Sequence, residues 1–371
     1  MRPLLTCLLL PLALLAETVP SMDSGRGRQL FESQNCIQCH RLNGQGGNRA
    51  PDLGRMIDRG FTPEMLAGTM WNHAPAMWSA FREEHIVLSV LTPQDSADLF
   101  AAFYSAHFFD MPSDAGRGKA LFTSKACAQC HGMGSAVNPK ARAATQWGAT
   151  FDAIALVTAM SNHTSAMRDE LFAKGIHWPA LKGADIGDML VYIRNLPESQ
   201  RGRMPEFKVT AGQDGEKLFQ SKGCASCHQL SGLRTGGMDL DDIAASFWNH
   251  GANPKMSPAN FTEEEMSALL GYVWAAPFFE SPGNAARGAK VFRQRRCVAC
   301  HGVAGNNAPN LLAGSTRRNG ITMVSALWRH GPAMLADMNR RNIRWPRFRT
   351  GEMADVIAYL NSGMAKAGAE K

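Results

Sequence analysis

Four short segments, CIQCH, CAQCH, CASCH and CVACH, each place two cysteines two residues apart with a histidine directly behind. They comprise Cys36, Cys39 and His40; Cys127, Cys130 and His131; Cys224, Cys227 and His228; and Cys297, Cys300 and His301. One such triplet could be half a zinc site, a redox dithiol or the anchor of a larger cofactor. Eight of the nine cysteines fall in these segments, and only Cys7 is left over. Zinc takes four ligands per site, and a redox dithiol has no use for a histidine that always follows it. Haem c attachment uses all three side chains. Two thiols one helical turn apart can bond the vinyl groups of one porphyrin, while the adjacent imidazole lies under the ring and offers a nitrogen to iron. The pattern therefore predicts four covalently bound haem c groups.

Each motif has the same approach. A glycine stands nine residues before the first cysteine (Gly27, Gly118, Gly215, Gly288) and a phenylalanine five before it (Phe31, Phe122, Phe219, Phe292). Such constancy marks an internal repeat. The surrounding text reads as a short helix whose glycine lets another helix approach and whose phenylalanine enters a core. Downstream, each unit carries a second helical stretch ending in a methionine: MWNHAPAM to Met77, MSNHTSAM to Met167, FWNHGANPKM to Met256 and LWRHGPAM to Met334. An apolar final helix then closes each unit.

This order of glycine-bearing helix, CxxCH, loop, helix, methionine and final helix resembles the class I cytochrome c family, over essentially all of the chain after its first residues. The resemblance implies an all-α fold of four tandem cytochrome c-like domains, in which first and last helices cross and each haem is enclosed between loops. The expected domains are residues 23–110, 111–205, 209–282 and 283–371. Units one and three both end in FF before a proline-containing step, and units two and four share IHWPALKGADIGDM and IRWPRFRTGEMADV. The chain thus reads as a duplicated two-domain module, with neighbouring haems inside each module and a flexible boundary at residues 197–215.

The resemblance also implies the iron ligands: His40, His131, His228 and His301 on one face, and Met77, Met167, Met256 and Met334 on the other. Thioether ligation raises the reduction potential because soft sulfur favours ferrous iron. A second histidine recurs just before each methionine (His73, His163, His250, His330) and is expected to be a hydrogen-bonding or capping group, with ligation as its alternative. Trp71, Trp248 and Trp328 are expected to wall the haems, bond a propionate or fill the core. Pro51 and Pro309 stand where the family's proline carbonyl accepts from the proximal imidazole, and Pro139 is the candidate in unit two.

Residues 1–16 read as a secretory signal, with an apolar run from Leu4 to Leu15 too short for a comfortable membrane span. An uncleaved anchor is the alternative, and either places the protein in the periplasm. The formal net charge is +7, but residues 285–371 alone carry 15 basic and 4 acidic residues. That face suits an acidic redox partner, because electron-transfer encounters are small and steered by charge. Nucleic acid is an improbable ligand for an exported haem protein. With both axial positions filled no iron would be open to a substrate, so the sequence reads as an electron carrier. The alternatives are a peroxidase-like or sulfur-compound-oxidising haem enzyme, with unit three as its site, and an electron-transfer subunit peripherally held by a membrane complex.

Overall fold

The computed structural model describes residues 21–54, 61–107, 113–135, 137–147, 153–197, 209–229, 238–253, 260–279, 283–302, 308–313 and 317–369. Among the described residues the fold is all-α apart from four two-residue strands: β1 (Met22–Asp23), β2 (Arg41–Leu42), β3 (Gln45–Gly46) and β4 (Thr210–Ala211). Among the described residues no helix is long and apolar enough to cross a membrane.

Each unit repeats one plan. Unit one contains α1 (Ser24–Ser33), α2 (Pro63–Glu83) and α3 (Pro93–His107); unit two contains α4 (Ala115–Ser124), α5 (Ala153–Asn162), α6 (Thr164–Ala173) and α7 (Gly183–Arg194). Unit three contains α8 (Gln213–Ser221), α9 (Leu240–Asn249) and α10 (Glu263–Ala275); unit four contains α11 (Ala285–Gln294), α12 (Val298–His301), α13 (Gly320–Arg340) and α14 (Glu352–Ala369). First and last helices pack together in every unit. The repeated glycine is the reason they can: a Cβ at Gly27, Gly118, Gly215 or Gly288 would collide with the carbonyl of Asp98, Asp188, Ala268 or Asp355 on the last helix. Phe31, Phe122, Phe219 and Phe292 are all buried, as the repeat predicts.

An ion pair locks three of these crossings. In unit four Asp355 accepts from the Asn284 backbone N–H (2.7 Å) and from Nε and Nη2 of Arg287 (2.7 and 2.8 Å). In unit two Asp188 holds the Asp114 N–H and Arg117 in the same way, and in unit one Asp98 holds the Asp23 N–H and Arg26. Unit three has Asp214 and Ala268 at the two positions and keeps the crossing without the pair.

Packing between units departs from the expectation of neighbours within each module. The extensive helix contacts join unit one to unit four, through α2 with α13, and unit two to unit three, through α5 and α7 with α9. Tryptophans fill both interfaces: Trp71 stacks on Trp345 at 4.8 Å and Trp178 on Trp248 at 4.3 Å between ring centroids. Asparagines stitch them. Asn72 exchanges two hydrogen bonds with the Phe348 backbone (2.8 and 2.7 Å), Asn162 with Phe261 (2.8 and 2.9 Å) and Asn249 with Leu181 (2.8 Å each). Units one and three meet where β1 pairs antiparallel with β4, Met22 opposite Ala211 and Asp23 opposite Thr210. Tyr104 lies against Trp274 there at 4.2 Å, and its hydroxyl accepts from the Leu240 N–H at 3.2 Å.

Candidate haem sites

The CxxCH turns are built alike. The histidine N–H donates to the carbonyl of the first cysteine at 2.9 Å for His40, His131 and His301 and at 3.0 Å for His228. That bond closes one helical turn, so the first thiol and the imidazole project from neighbouring positions of a single turn. The residue ahead of each first cysteine has a left-handed backbone: Asn35 (φ 62°), Ala126 (φ 64°), Gly223 (φ 84°) and Arg296 (φ 63°). This kink swings the chain from the first helix into the cysteine turn. The sequence half hid it, because only Gly223 and Asn35 are residue types that signal such a conformation, and Ala126 and Arg296 are not.

The eight motif cysteines are free of disulfides. Burial pushes the Cys36 thiol up to about 12 and those of Cys127 and Cys297 to about 11, against weaker lowering by backbone hydrogen bonds. Reactive dithiols need the opposite shift. Among the described residues no three His, Cys, Asp or Glu side chains gather as a metal cluster, as zinc would require.

The imidazoles are oriented by carbonyl acceptors. Nδ1–H donates from His40 to the Pro51 carbonyl (3.0 Å) and from His301 to the Pro309 carbonyl (3.0 Å), as expected. In unit two the acceptor is the Arg142 carbonyl at 2.9 Å, not Pro139. Arg142 lies eleven residues beyond its histidine, the same interval as Pro51 from His40, whereas Pro309 lies eight beyond His301, so the acceptor need not be a proline. A carbonyl can only accept, so each of these rings carries its proton on Nδ1 and leaves the Nε2 lone pair for iron. Among the described residues His228 has no such partner.

The second histidines sit within α2 and α13 in units one and four, between α5 and α6 in unit two, and at the end of α9 in unit three. His163 donates from Nδ1 to the Ala159 carbonyl (2.6 Å) and His250 to the Ser246 carbonyl (2.7 Å), each one turn back. His73 makes the corresponding bond to Thr69. Their rings face the motif histidines: His163 lies 6.2 Å from His131 and His250 5.7 Å from His228, centroid to centroid. Burial lowers the proton affinity of His131 and of His73, opposed by their carbonyl partners and reinforced by the facing histidine.

Met77 and Met334 stand one turn beyond His73 and His330 on α2 and α13, and Met167 one turn beyond His163 on α6. Met77 packs beside Trp78 and Leu327 at the interface of units one and four, and Met167 packs on the main core. Met256 lies outside the described residues. The tryptophans serve the interfaces: the Trp71 indole N–H donates to the Pro346 carbonyl (2.7 Å), Trp248 to the Pro179 carbonyl (2.8 Å), and Trp328 meets Phe81 edge-on at 5.9 Å. With those N–H groups occupied, Trp71 and Trp248 have none to offer a propionate. The proline inside α2 is explained by the same contact. Pro75 lacks an N–H, so the Trp71 carbonyl one turn back is released from the helix and accepts from the Trp345 indole at 2.9 Å.

Paired thiols on a tight turn, an imidazole with a fixed tautomer and a crossing of first and last helices fit a haem held covalently by each turn. Such repeated sites define a multihaem c-type electron-transfer protein. A model of the cytochrome c family matches residues 24–101, 115–197 and 285–363, more than half of the chain, and the protein belongs to that family. No curated protein and no solved structure was found to match it. The three matched segments are units one, two and four. Unit three lies outside them, and it is the unit that lacks the Arg–Asp lock.

Proposed function

We propose that the protein is a periplasmic tetrahaem carrier that relays electrons between redox partners. The observation that supports this most directly is the fourfold recurrence of one CxxCH turn, each behind a glycine-pinned helix crossing, with unit three sharing the geometry that its sequence has drifted from. Bound haem c supplies a one-electron iron centre at each turn. The chain's own residues anchor it through Cys36 and Cys39, Cys127 and Cys130, Cys224 and Cys227, and Cys297 and Cys300, and orient the ligand imidazoles. Low-mobility helices around the site limit rearrangement when the charge on iron changes.

The partner-binding face lies on unit four. Trp345 and Phe348 turn inward against unit one, and Arg344, Arg347 and Arg349 between and beside them are exposed, as are Arg293 and Arg296 at the edge of the haem turn. An acidic redox protein suits that surface, and its association rate should fall steeply as salt rises.

Intact mass of the purified holoprotein tests the haem count: four covalent haems are expected, and three or fewer would overturn the proposal. A wholly low-spin spectrum supports a carrier. A high-spin fraction that takes up cyanide or carbon monoxide would favour the enzymatic alternative, for which unit three is the candidate.

A further inference from the structure

We infer that His163 and His250, with His73 in the same place on α2, are the sixth ligands of the haems of units two, three and one, in place of methionine. This rests on the haem-binding reading above and concerns the opposite face of each iron.

Ring separation is the first observation. An iron between two imidazoles makes two bonds of about 2.0 Å, and each nitrogen lies about 1.1 Å from its ring centre, so the centroids should stand about 6 Å apart. The facing pairs are at 6.2 Å (His131 with His163) and 5.7 Å (His228 with His250). Nothing else about these residues requires two imidazoles to meet at that distance.

The tautomers are the second. His163 and His250 both donate from Nδ1 to a carbonyl one turn back, so the Nε2 lone pair is the free one. His131 is fixed the same way through the Arg142 carbonyl. In unit two both facing rings are therefore prepared to bond a metal and neither is prepared to bond the other.

Anchorage is the third. The residue just before each histidine is the asparagine that exchanges two hydrogen bonds with a neighbouring unit: Asn72, Asn162 and Asn249. The ligand helix is thereby held in register by the partner unit. A methionine four residues on lies about 6 Å further along the helix, and Met77 and Met167 are occupied in apolar packing. In unit four Arg329 replaces the asparagine, so the inference stops at three haems; unit one enters on its Asn72 anchor and the His73 bond to Thr69, the ring pair itself being seen in units two and three.

The test is near-infrared magnetic circular dichroism and electron paramagnetic resonance on the ferric holoprotein, after its mass shows the haem count. Bis-histidine signals should account for about three quarters of the haem intensity, with the sulfur-to-iron band no larger than one haem can give. In His163→Ala one haem should turn high-spin and return to low-spin on adding imidazole, while Met167→Leu leaves the spectrum unchanged. A sulfur-to-iron band from three or four haems in the unaltered protein, or loss of one low-spin haem in Met167→Leu and not in His163→Ala, would overturn the inference. The spectrum of the unaltered protein decides the matter even if a variant fails to mature. A wrong haem mass would instead overturn the carrier proposal.

Discussion

Replacing Asp355 by alanine gives unit four the arrangement that unit three has naturally at Ala268. The carboxylate takes three hydrogen bonds, one from the Asn284 N–H and two from Arg287, and its side chain is 9 % exposed. Arg287 is 67 % exposed, so water can replace its two bonds at little cost. The Asn284 N–H loses its acceptor at a part-buried position, which costs roughly 1–3 kcal/mol. A loss of about 2 kcal/mol is expected, and at about 1.4 kcal/mol per decade that is about a 30-fold drop in local protection. Hydrogen exchange read by mass spectrometry on α11 and α14 peptides of the holoprotein reports it without assuming that four units unfold together. The Arg287 bonds hold the Asp355 carboxyl below the usual carboxylate range. Its folded value thus lies under the unfolded one of about 3.9, so the stabilisation is present above that value and is lost as the pH falls through the folded one. Protection of these helices should be steady from neutral pH to about 5 and weaken in acid, and Asp355→Asn should flatten that fall. Less than a threefold change in Asp355→Ala would refute the lock.

Ala126→Gly and Arg296→Gly relieve left-handed strain at two haem turns and should stabilise by up to about 1 kcal/mol, read as a later unfolding midpoint in denaturant. Gly288→Val puts a branched side chain into the Asp355 carbonyl and should abolish recovery of unit four, seen as loss of one covalent haem by mass. Cleaving an inserted protease site between residues 201 and 208 should leave the two halves co-eluting on size exclusion, because α2 with α13, α5 with α9 and β1 with β4 all cross between them. Separation of the fragments in dilute buffer would refute that interface.

Much of this fold was legible because one residue type at one spacing had a single physical reason. Gly27, Gly118, Gly215 and Gly288 report a helix crossing that admits no Cβ, and the phenylalanines four residues later report the core beneath it. The Arg–Asp lock was present in the text as Arg26, Arg117 and Arg287 ahead of those glycines, but its partners lie some 70 residues away and no local period connects them. Backbone acceptors were the least legible part. A carbonyl carries no residue label, so nothing local marked Arg142 as the acceptor, and residue type pointed to Pro139 instead. Helix phase is silent in the same way: a histidine and a methionine at i and i+4 share a face, so spacing alone does not choose between them.

The pairing of units carries the largest consequence for electron flow. Counting back from the first cysteine of each unit, Thr210 and Ala211 stand where Met22 and Asp23 stand, and the strand pair sets 22 against 211 and 23 against 210. Each residue therefore faces the counterpart of its own strand neighbour, so exchanging the strands reproduces the pairing, the signature of a local two-fold axis through β1 and β4. Tyr104 and Trp274, both five residues before the last phenylalanine of their units, meet across the same axis. Under that exchange of halves the contact of unit one with unit four becomes the contact of unit three with unit two, and both are observed. Duplication of a two-domain module thus folds as an internal dimer, with each domain packed on one from the opposite half. On the proposed tetrahaem reading, neighbouring haems follow the folded interfaces, one with four and two with three, and not the order of the motifs along the chain.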